Sequence, residues 1–456
     1  MSHRLTTPAE ASIWGHVRAM LALGLPLIGS HLAQMALHVT ATVIMGWYGV
    51  AELAAAVLGG SAFFVIFILG SGFAQAVMPM VAQAMGRGDE AQVRRDARMG
   101  LWLSILFGVL TYPLFWFSGA ILLALGQKPE VAALAQDFLR LAGLGMVAAL
   151  AVMVLKSYLA ALERTQVVLW VTVAVVPLNA VLCWALAFGH GPWPAMGVAG
   201  AALASLAMQL LSVLALAGYA AWLPMARKFR LFQRFWRPDW HAMGQVFRLG
   251  LPIGLTALAE SGLFQAVALM MGWIGTVELA AHGIAMQITA VGFMVHVGLS
   301  NAVTVRVGRF AGAGEWAAAR RTGKVAVGLS ALVACGQVVI YLTLAAPIVS
   351  LFLDRGNPQA PALIAFGAML LAYAAAFQIM DAGQVLALGL LRGVQDTRVP
   401  MWIAIGAYWL AGAPAAYLLA FPLGLGGPGL WLGLTLGLTL ASSLLMWRFW
   451  SRVPRG

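Results

Sequence analysis

The stretch MGWYGVAELAA, Met45 to Ala55, returns as MGWIGTVELAA, Met271 to Ala281, with eight of its eleven positions unchanged. The two copies lie 226 residues apart in a chain of 456. At the same offset LGLP at Leu23 to Pro26 returns at Leu249 to Pro252, and Gly72 matches Gly298. Gly86 and Gly88 match Gly312 and Gly314, and the pair Arg94 and Arg95 matches Arg320 and Arg321. Farther along, ERTQVV from Glu163 corresponds more loosely to QDTRVP from Gln395, with the offset stretched to 232. One unit is written twice.

Composition says what kind of unit it is. Hydrophobic residues make up 62% of the chain and charged residues 9%, against roughly a quarter charged in a soluble domain. Crossing about 30 Å of hydrocarbon takes about 20 apolar residues as a helix. Twelve such runs are read at 17–45, 50–80, 99–125, 133–162, 166–189, 197–224, 245–272, 278–308, 325–353, 360–390, 399–421 and 427–450. Gly (51) and Pro (19) inside them are compatible with helices, because bundle neighbours satisfy the freed backbone groups. The first run is too long and too poorly cleavable for a signal peptide and is taken as mature protein.

Six spans per copy is an even number, so both copies enter the membrane in the same direction. The predicted fold is all-α and integral to the membrane, with twelve transmembrane helices in two parallel six-helix lobes about a pseudo-two-fold along the membrane normal. Residues 1–224 form the first lobe, 225–244 a cytoplasmic linker and 245–456 the second. The loop from Leu223 to Arg248, rich in Arg, Trp and Phe, reads as an amphipathic helix on the cytoplasmic leaflet. Parallel repeats of this kind belong to alternating-access carriers that hold substrate between their halves.

The formal net charge of +12 is explained by topology. Arg4 and Arg18 open the chain; Arg87, Arg94, Arg95 and Arg98 follow span two, and Arg164 follows span four. Arg227, Lys228, Arg230, Arg234, Arg237 and Arg248 surround the linker, and Arg306, Arg309, Arg320, Arg321 and Lys324 follow span eight. Arg392, Arg398, Arg448, Arg452 and Arg455 complete a set of 23 among 27 basic residues. Only Lys128 and Arg355 fall in opposite-side loops, with Arg140 and Lys156 in or near span four. By the positive-inside rule both termini are cytoplasmic in an inner membrane. Membrane lipids with anionic headgroups, and no nucleic acid, are the expected partners of this basicity. Cys183 and Cys335 both lie in apolar runs and imply no disulfide or metal framework.

Two acids break the apolar pattern. Glu260 sits in TALAESGLF inside span seven and Asp381 in FQIMDAGQVL inside span ten. An Asp at the centre of a spanning helix costs about 2.5–3.5 kcal/mol on insertion scales. Their repeat partners, Gln34 and Ala149, are uncharged. One reading is a structural polar link between helices. The other is a site for a proton or for a hard monovalent cation such as sodium, with Glu260 and Asp381 as its ligands.

LAQMALHVTATVIMGWYGVAELAA, PMVAQAMGRGD, ERTQVVLWVTVAVVPLNAVL and MGVAGAALA in the first half resemble the multidrug and toxic compound extrusion (MATE) family. PIGLTALAESGLF, ELAAHGIAMQI, AVTVRVGRFAG and DAGQVLALGLLRGVQD in the second resemble its NorM-like branch. The resemblance covers essentially the whole chain. It implies two six-helix lobes in a V that opens to either face and an exporter of organic cations in antiport with Na+ or H+, without a further cofactor. It also implies that Glu260 and Asp381 bind the coupling ion. Phe377, one turn before Asp381, stands where similar proteins often carry tyrosine, which keeps a ring face for a cation but removes a hydroxyl. Similar proteins commonly read V-D-T in span one, where this chain has Thr40-Ala41-Thr42. The aspartate used for proton coupling in the DinF-like branch is thus replaced by Ala41, which leaves coupling to the second lobe.

Substrate signals are softer. The 22 Met and 46 aromatic residues suit flat lipophilic cations, although most are expected to face lipid or pack between helices. Cavity candidates are Gln34, Asn179, Phe264, Gln265, Met286, Gln287, Phe293 and Tyr373, with Phe377 and Met294 beside them. His31, His38, His282 and His296 read as interhelical hydrogen-bond partners. No G-x-x-x-x-G-K-[ST] phosphate loop occurs, so no built-in ATPase is implied, and no cluster of His or acidic residues at one membrane face suggests an enzyme. A monomer is expected. The alternatives are a lipid-linked precursor flippase, which calls for a cationic cavity, and a major-facilitator carrier, whose typical loop G-x-x-x-D-R-x-G-R-R is poorly matched by GRGDEAQVRRD after span two.

Overall fold

A computed structural model describes residues 12–190, 193–222, 229–233, 235–353 and 358–454. Arg4, Arg227, Lys228, Arg234, Arg355 and Arg455 of the charge pattern, and residues 225–228 of the linker, lie outside the described residues. The first half contains α1 (Ile13–Tyr48), α2 (Val50–Arg87), α3 (Glu90–Trp116), α4 (Ser118–Ala124), α5 (Pro129–Ala161), α6 (Thr165–Phe188) and α7 (Gly197–Trp222). The second contains α8 (Trp240–Ile274), α9 (Thr276–Gly312), α10 (Trp316–Thr343), α11 (Ala345–Ser350) and α12 (Ala360–Gly393). It then runs through α13 (Arg398–Ile405), a π-helix (Gly406–Gly412), α14 (Ala413–Ala420) and α15 (Gly426–Arg452). Among the described residues twelve helices are long and apolar enough to cross a bilayer, Arg398–Ala420 being taken as one.

The duplicated stretch encodes a one-residue connector. Gly49 separates α1 from α2 and Gly275 separates α8 from α9, with φ 177° and 174°. In the first, Gly49 N–H donates to the Met45 carbonyl and Leu53 N–H to that of Gly49, at 3.2 and 3.0 Å. In the second, Gly275 and Leu279 repeat the pattern at 3.3 and 3.0 Å. The backbone ladder therefore continues through the bend, as an apolar solvent demands.

The turns after α2 and α9 also repeat. Gly88 and Gly314 take φ 73° and 77°, and Asp89 and Glu315 N–H reach back to the Ala84 and Phe310 carbonyls at 2.9 Å. A side chain is disfavoured in that left-handed turn by about 1–2 kcal/mol. Glu163 and Gln395 adopt it nevertheless, at φ 60° and 58°, with Arg164 and Asp396 N–H bonding to the Leu159 and Leu391 carbonyls at 2.8 and 2.9 Å. The looser 232-residue correspondence is thus the same turn twice.

Three spans differ from the sequence expectation. The third of each half starts about nine residues earlier than hydropathy suggests and breaks at Phe117 and at Leu344 into the short α4 and α11. Asp89 accepts a bond from Gln92 N–H at 2.9 Å and nucleates α3, but Arg94, Arg95, Asp96 and Arg98 hide its first turns from an apolar window. The eleventh span is continuous in sequence and is interrupted by the π-helix.

Contacts gather the chain into two compact units, Gly29–Gly254, and Met1–Ile28 with Leu255–Gly456. The start of α1 therefore sides with the second half and the start of α8 with the first. Inside the first unit, a Cβ on Gly72 of α2 would strike the Gly250 carbonyl and the Gly254 nitrogen of α8. Inside the second, a Cβ on Gly298 of α9 would lie 2.8 Å from the backbone nitrogen of Ile28 in α1. The repeat-matched glycines thus serve the same close crossing, and His16 of α1 also bonds Thr322 of α10 at 3.1 Å.

Between residues 229 and 239 the described linker residues are not helical, unlike the amphipathic helix expected there. Residues 229–233 and 235–239 run mainly as turns along α3, because α3 side chains capture their backbone. Arg98 Nη1 donates to the Gln233 carbonyl at 2.9 Å and Trp102 Nε1 to that of Phe235 at 2.8 Å. The Trp102 and Phe235 rings stack at 5.8 Å.

Candidate ion-coupling site

Both intramembrane acids belong to the second unit. Glu260 lies on α8, two turns beyond Pro252, and Asp381 near the middle of α12. The α-helical period places Phe377, Gln378, Asp381 and Gln384 on one side of α12, and all four are buried. The Gln384 side chain hydrogen-bonds the Glu260 carboxylate, and its Nε2 also donates to Tyr408 Oη. Asp381 lies within electrostatic reach of Glu260, and Tyr341 of α10 within reach of Asp381.

The π-helix sets this geometry. Its wider turn carries fully buried Tyr408 to Gln384, in keeping with the tendency of π-segments to mark functional sites. The next residue, Trp409, donates Nε1 to the Ala259 carbonyl at 3.1 Å, which ties the π-segment to the turn bearing Glu260. Trp409 lies 3.0 Å from the Cβ position of Gly262. Arg392, on α12, is within electrostatic reach of Glu260 and Tyr408. With Arg392 charged and both acids ionised, the cluster carries one net negative charge.

Rings form one wall. Phe377 meets Phe264 at 6.0 Å and Trp431 at 5.3 Å, both edge to face, and Trp431 meets His282 at 5.7 Å. Glu260 Oε1, Asp381 Oδ1, Gln384 Oε1, and Oε1 and Nε2 of Gln378 are buried without a protein hydrogen-bond partner. Unsatisfied acceptors around two carboxylates suit a proton or a monovalent cation. Among the described residues no three His, Cys, Asp or Glu side chains gather at one place.

The structure brings Glu260, Asp381, Phe377 and Phe264 together. Gln265 and Gln287 are exposed, and Met286, Phe293 and Tyr373 half-buried, outside the hydrogen-bonded cluster. Gln34, exposed, and Asn179, buried with both carboxamide atoms unpartnered, belong to the first unit. His296 bonds Ser330 and Gln337, both at 2.9 Å, an interhelical link between α9 and α10. Sequence reading missed Gln378, Gln384, Arg392 and Tyr408. The spacing Gln-x-x-Asp-x-x-Gln around Asp381 was the available signal.

Twelve spans in a duplicated six-span order, with two intramembrane acids in one unit, define a multi-pass membrane carrier rather than an enzyme. The sequence model of the MatE family matches residues 26–185 and 252–418, once in each half. The chain belongs to the MatE family. It is 47% identical over 440 residues to the probable multidrug resistance protein NorM of Rhizobium meliloti (strain 1021), covering 96% of this chain and 94% of that relative. It is 39% identical to the protein of the same name from Deinococcus radiodurans, covering 99% of both. A MATE structure in complex with MaL6 superposes with TM-score 0.87 at 21% identity, covering 98% of this chain and 99% of that one. A eukaryotic MATE transporter superposes with TM-score 0.85 at 22% identity, covering 96% of each. These structures share the fold.

Proposed function

We propose that the protein exports lipophilic organic cations, drugs and dyes among them, in antiport with Na+ or H+. The coupling ion binds at Glu260 and Asp381. The observation that carries this reading is the cluster of half-buried Glu260 with buried Asp381, Gln384 and Tyr408, whose carboxylates and unsatisfied acceptors are costly in hydrocarbon without a cation to bind. The names of the relatives support the multidrug class, and the absence of an acid at Ala41 supports coupling through the second half. Ion binding neutralises the acids and favours substrate release; ion discharge on the other face allows reloading. Ion and substrate need not touch, because any ligand that binds two states unequally shifts their balance. The distribution of basic residues supports cytoplasmic termini in an inner membrane, with anionic lipid around a monomer.

The test is ethidium efflux from vesicles carrying wild type, Glu260→Gln or Asp381→Asn, with sodium and proton gradients imposed separately. Gradient-driven efflux by the wild type and its loss in both variants is the expected result. Full efflux in both variants would make the acids structural residues.

A further inference from the structure

We propose that the first unit binds the carboxylate of a lipophilic organic substrate at Lys156, with His31 beside it. The proposal adds an anionic group to the substrate class of the exporter inferred above, and rests on that reading for the use made of the bound ligand.

The repeat points to the site. Lys156 lies on α5 and His31 on α1, within electrostatic reach of one another and both in the first unit. At the 232 and 226 offsets their partners are Leu388 and Ala257. Helices α1 and α5 correspond to α8 and α12, which carry Glu260 and Asp381. The same pair of helices therefore bears acids in one unit and bases in the other. Since the second copy folds with leucine and alanine at these two places, the helical packing itself calls for no charge there.

Burial shows what the lysine faces. Lys156 stands seven residues, two turns, after Ala149, the position that matches Asp381. Ala149, Val152, Met153 and Lys156 recur at helical spacing and are all half-buried, whereas Ser157 to Ala161 are buried throughout. Lys156 and His31 are enclosed by the helices of the unit and yet keep accessible surface. The stripe on α5 thus lines an opening inside the unit that ends at the ammonium. The packed turn beyond it argues against snorkelling to an interface. On α1, the Ser30 hydroxyl bonds that of Thr172 in α6 at 3.1 Å, which fixes the turn bearing His31.

Chemistry selects the ligand. Among the described residues Lys156 makes no hydrogen bond or ion pair. An ammonium inside the bilayer is costly until an anion pairs with it. A carboxylate supplies the opposite charge and the acceptor oxygens together, and its apolar remainder fits walls of Ala, Val and Met.

The experiment titrates purified full-length protein against tetramethylrhodamine carrying a free benzoate and against its methyl ester, read by fluorescence anisotropy without ion gradients. Wild type is expected to bind the benzoate dye at least as tightly as the ester. Lys156→Met is expected to weaken the benzoate dye at least about tenfold and to leave the ester within about twofold. Lys156→Arg, which keeps the charge, is expected to hold the benzoate dye within about threefold of wild type. Lys156→Gln carries the prediction if Lys156→Met fails to elute as a folded monodisperse species. Equal loss of both dyes in the folded variants, or loss of neither, overturns the proposal. So does a wild type that prefers the ester or binds neither dye. Loss of short-chain phosphatidylglycerol binding in Lys156→Met, with the benzoate dye unaffected, also overturns it and makes Lys156 a lipid-headgroup site. Equilibrium binding needs no gradient, so failure of ion-driven ethidium efflux strikes the antiport reading and leaves this result standing.

Discussion

Adding one methyl group at Gly72 tests the helix crossing most sharply. A Cβ there would overlap the Gly250 carbonyl and the Gly254 nitrogen. Both are backbone atoms with no rotamer to escape through, so α2 and α8 must move apart. Overpacking of this kind costs about 1–3 kcal/mol. Gly60 provides the internal control, because it lies in the same helix and no atom stands within 4 Å of its Cβ position. There the helix gains about 0.5–1 kcal/mol from alanine. The two substitutions should therefore shift stability in opposite directions. At about 2–4 °C per kcal/mol for a unit of this size, Gly72→Ala should lower the melting temperature by several degrees and Gly60→Ala should raise it by a few. Tryptophan fluorescence of detergent-solubilised protein during heating measures both. A Gly72→Ala protein as stable as Gly60→Ala would refute the close crossing.

Tyr408→Phe removes the acceptor of Gln384 Nε2 and should cost about 1–3 kcal/mol, read by the same melts. Arg448 donates Nε to Asp396 Oδ2 at 2.8 Å, with Nη2 also at 2.8 Å. A double-mutant cycle of Arg448→Met and Asp396→Asn should return a coupling of about 1 kcal/mol, and additive effects would show that the pair is idle. Glu163→Gly and Gln395→Gly relieve left-handed turns at φ 60° and 58°, so each should raise stability by about 1 kcal/mol, whereas Gly88→Ala should lower it.

The duplication was legible because bends are encoded locally. Gly49 and Gly275, Gly88 and Gly314, and Glu163 and Gln395 hold the same backbone geometry at the offsets read from sequence. The acids were legible because a charge in an apolar run is rare and costly. Gln378 and Gln384 were not, since an uncharged amide in such a run draws no attention until its burial and partners are known. Tyr408 was hidden for another reason. A π-helix is a change of hydrogen-bond register within a continuous apolar segment, and only the bracketing Gly406 and Gly412 hint at it. The described linker residues up to Asp239 differ from that expectation because the aromatic and basic composition suits a membrane-surface helix, whereas Arg98 and Trp102 bind the Gln233 and Phe235 carbonyls.

The proposed antiport through the second-half site makes a reciprocal demand that efflux alone does not test. Purified protein in sealed proteoliposomes, loaded with tetraphenylphosphonium and placed in medium free of ion gradients, should use the outward substrate gradient to draw the coupling ion inward. With internal pH and sodium indicators, the account predicts ion entry that starts with substrate exit and is absent in Asp381→Asn. Substrate exit without ion entry, or ion movement in the same direction as substrate, would contradict it.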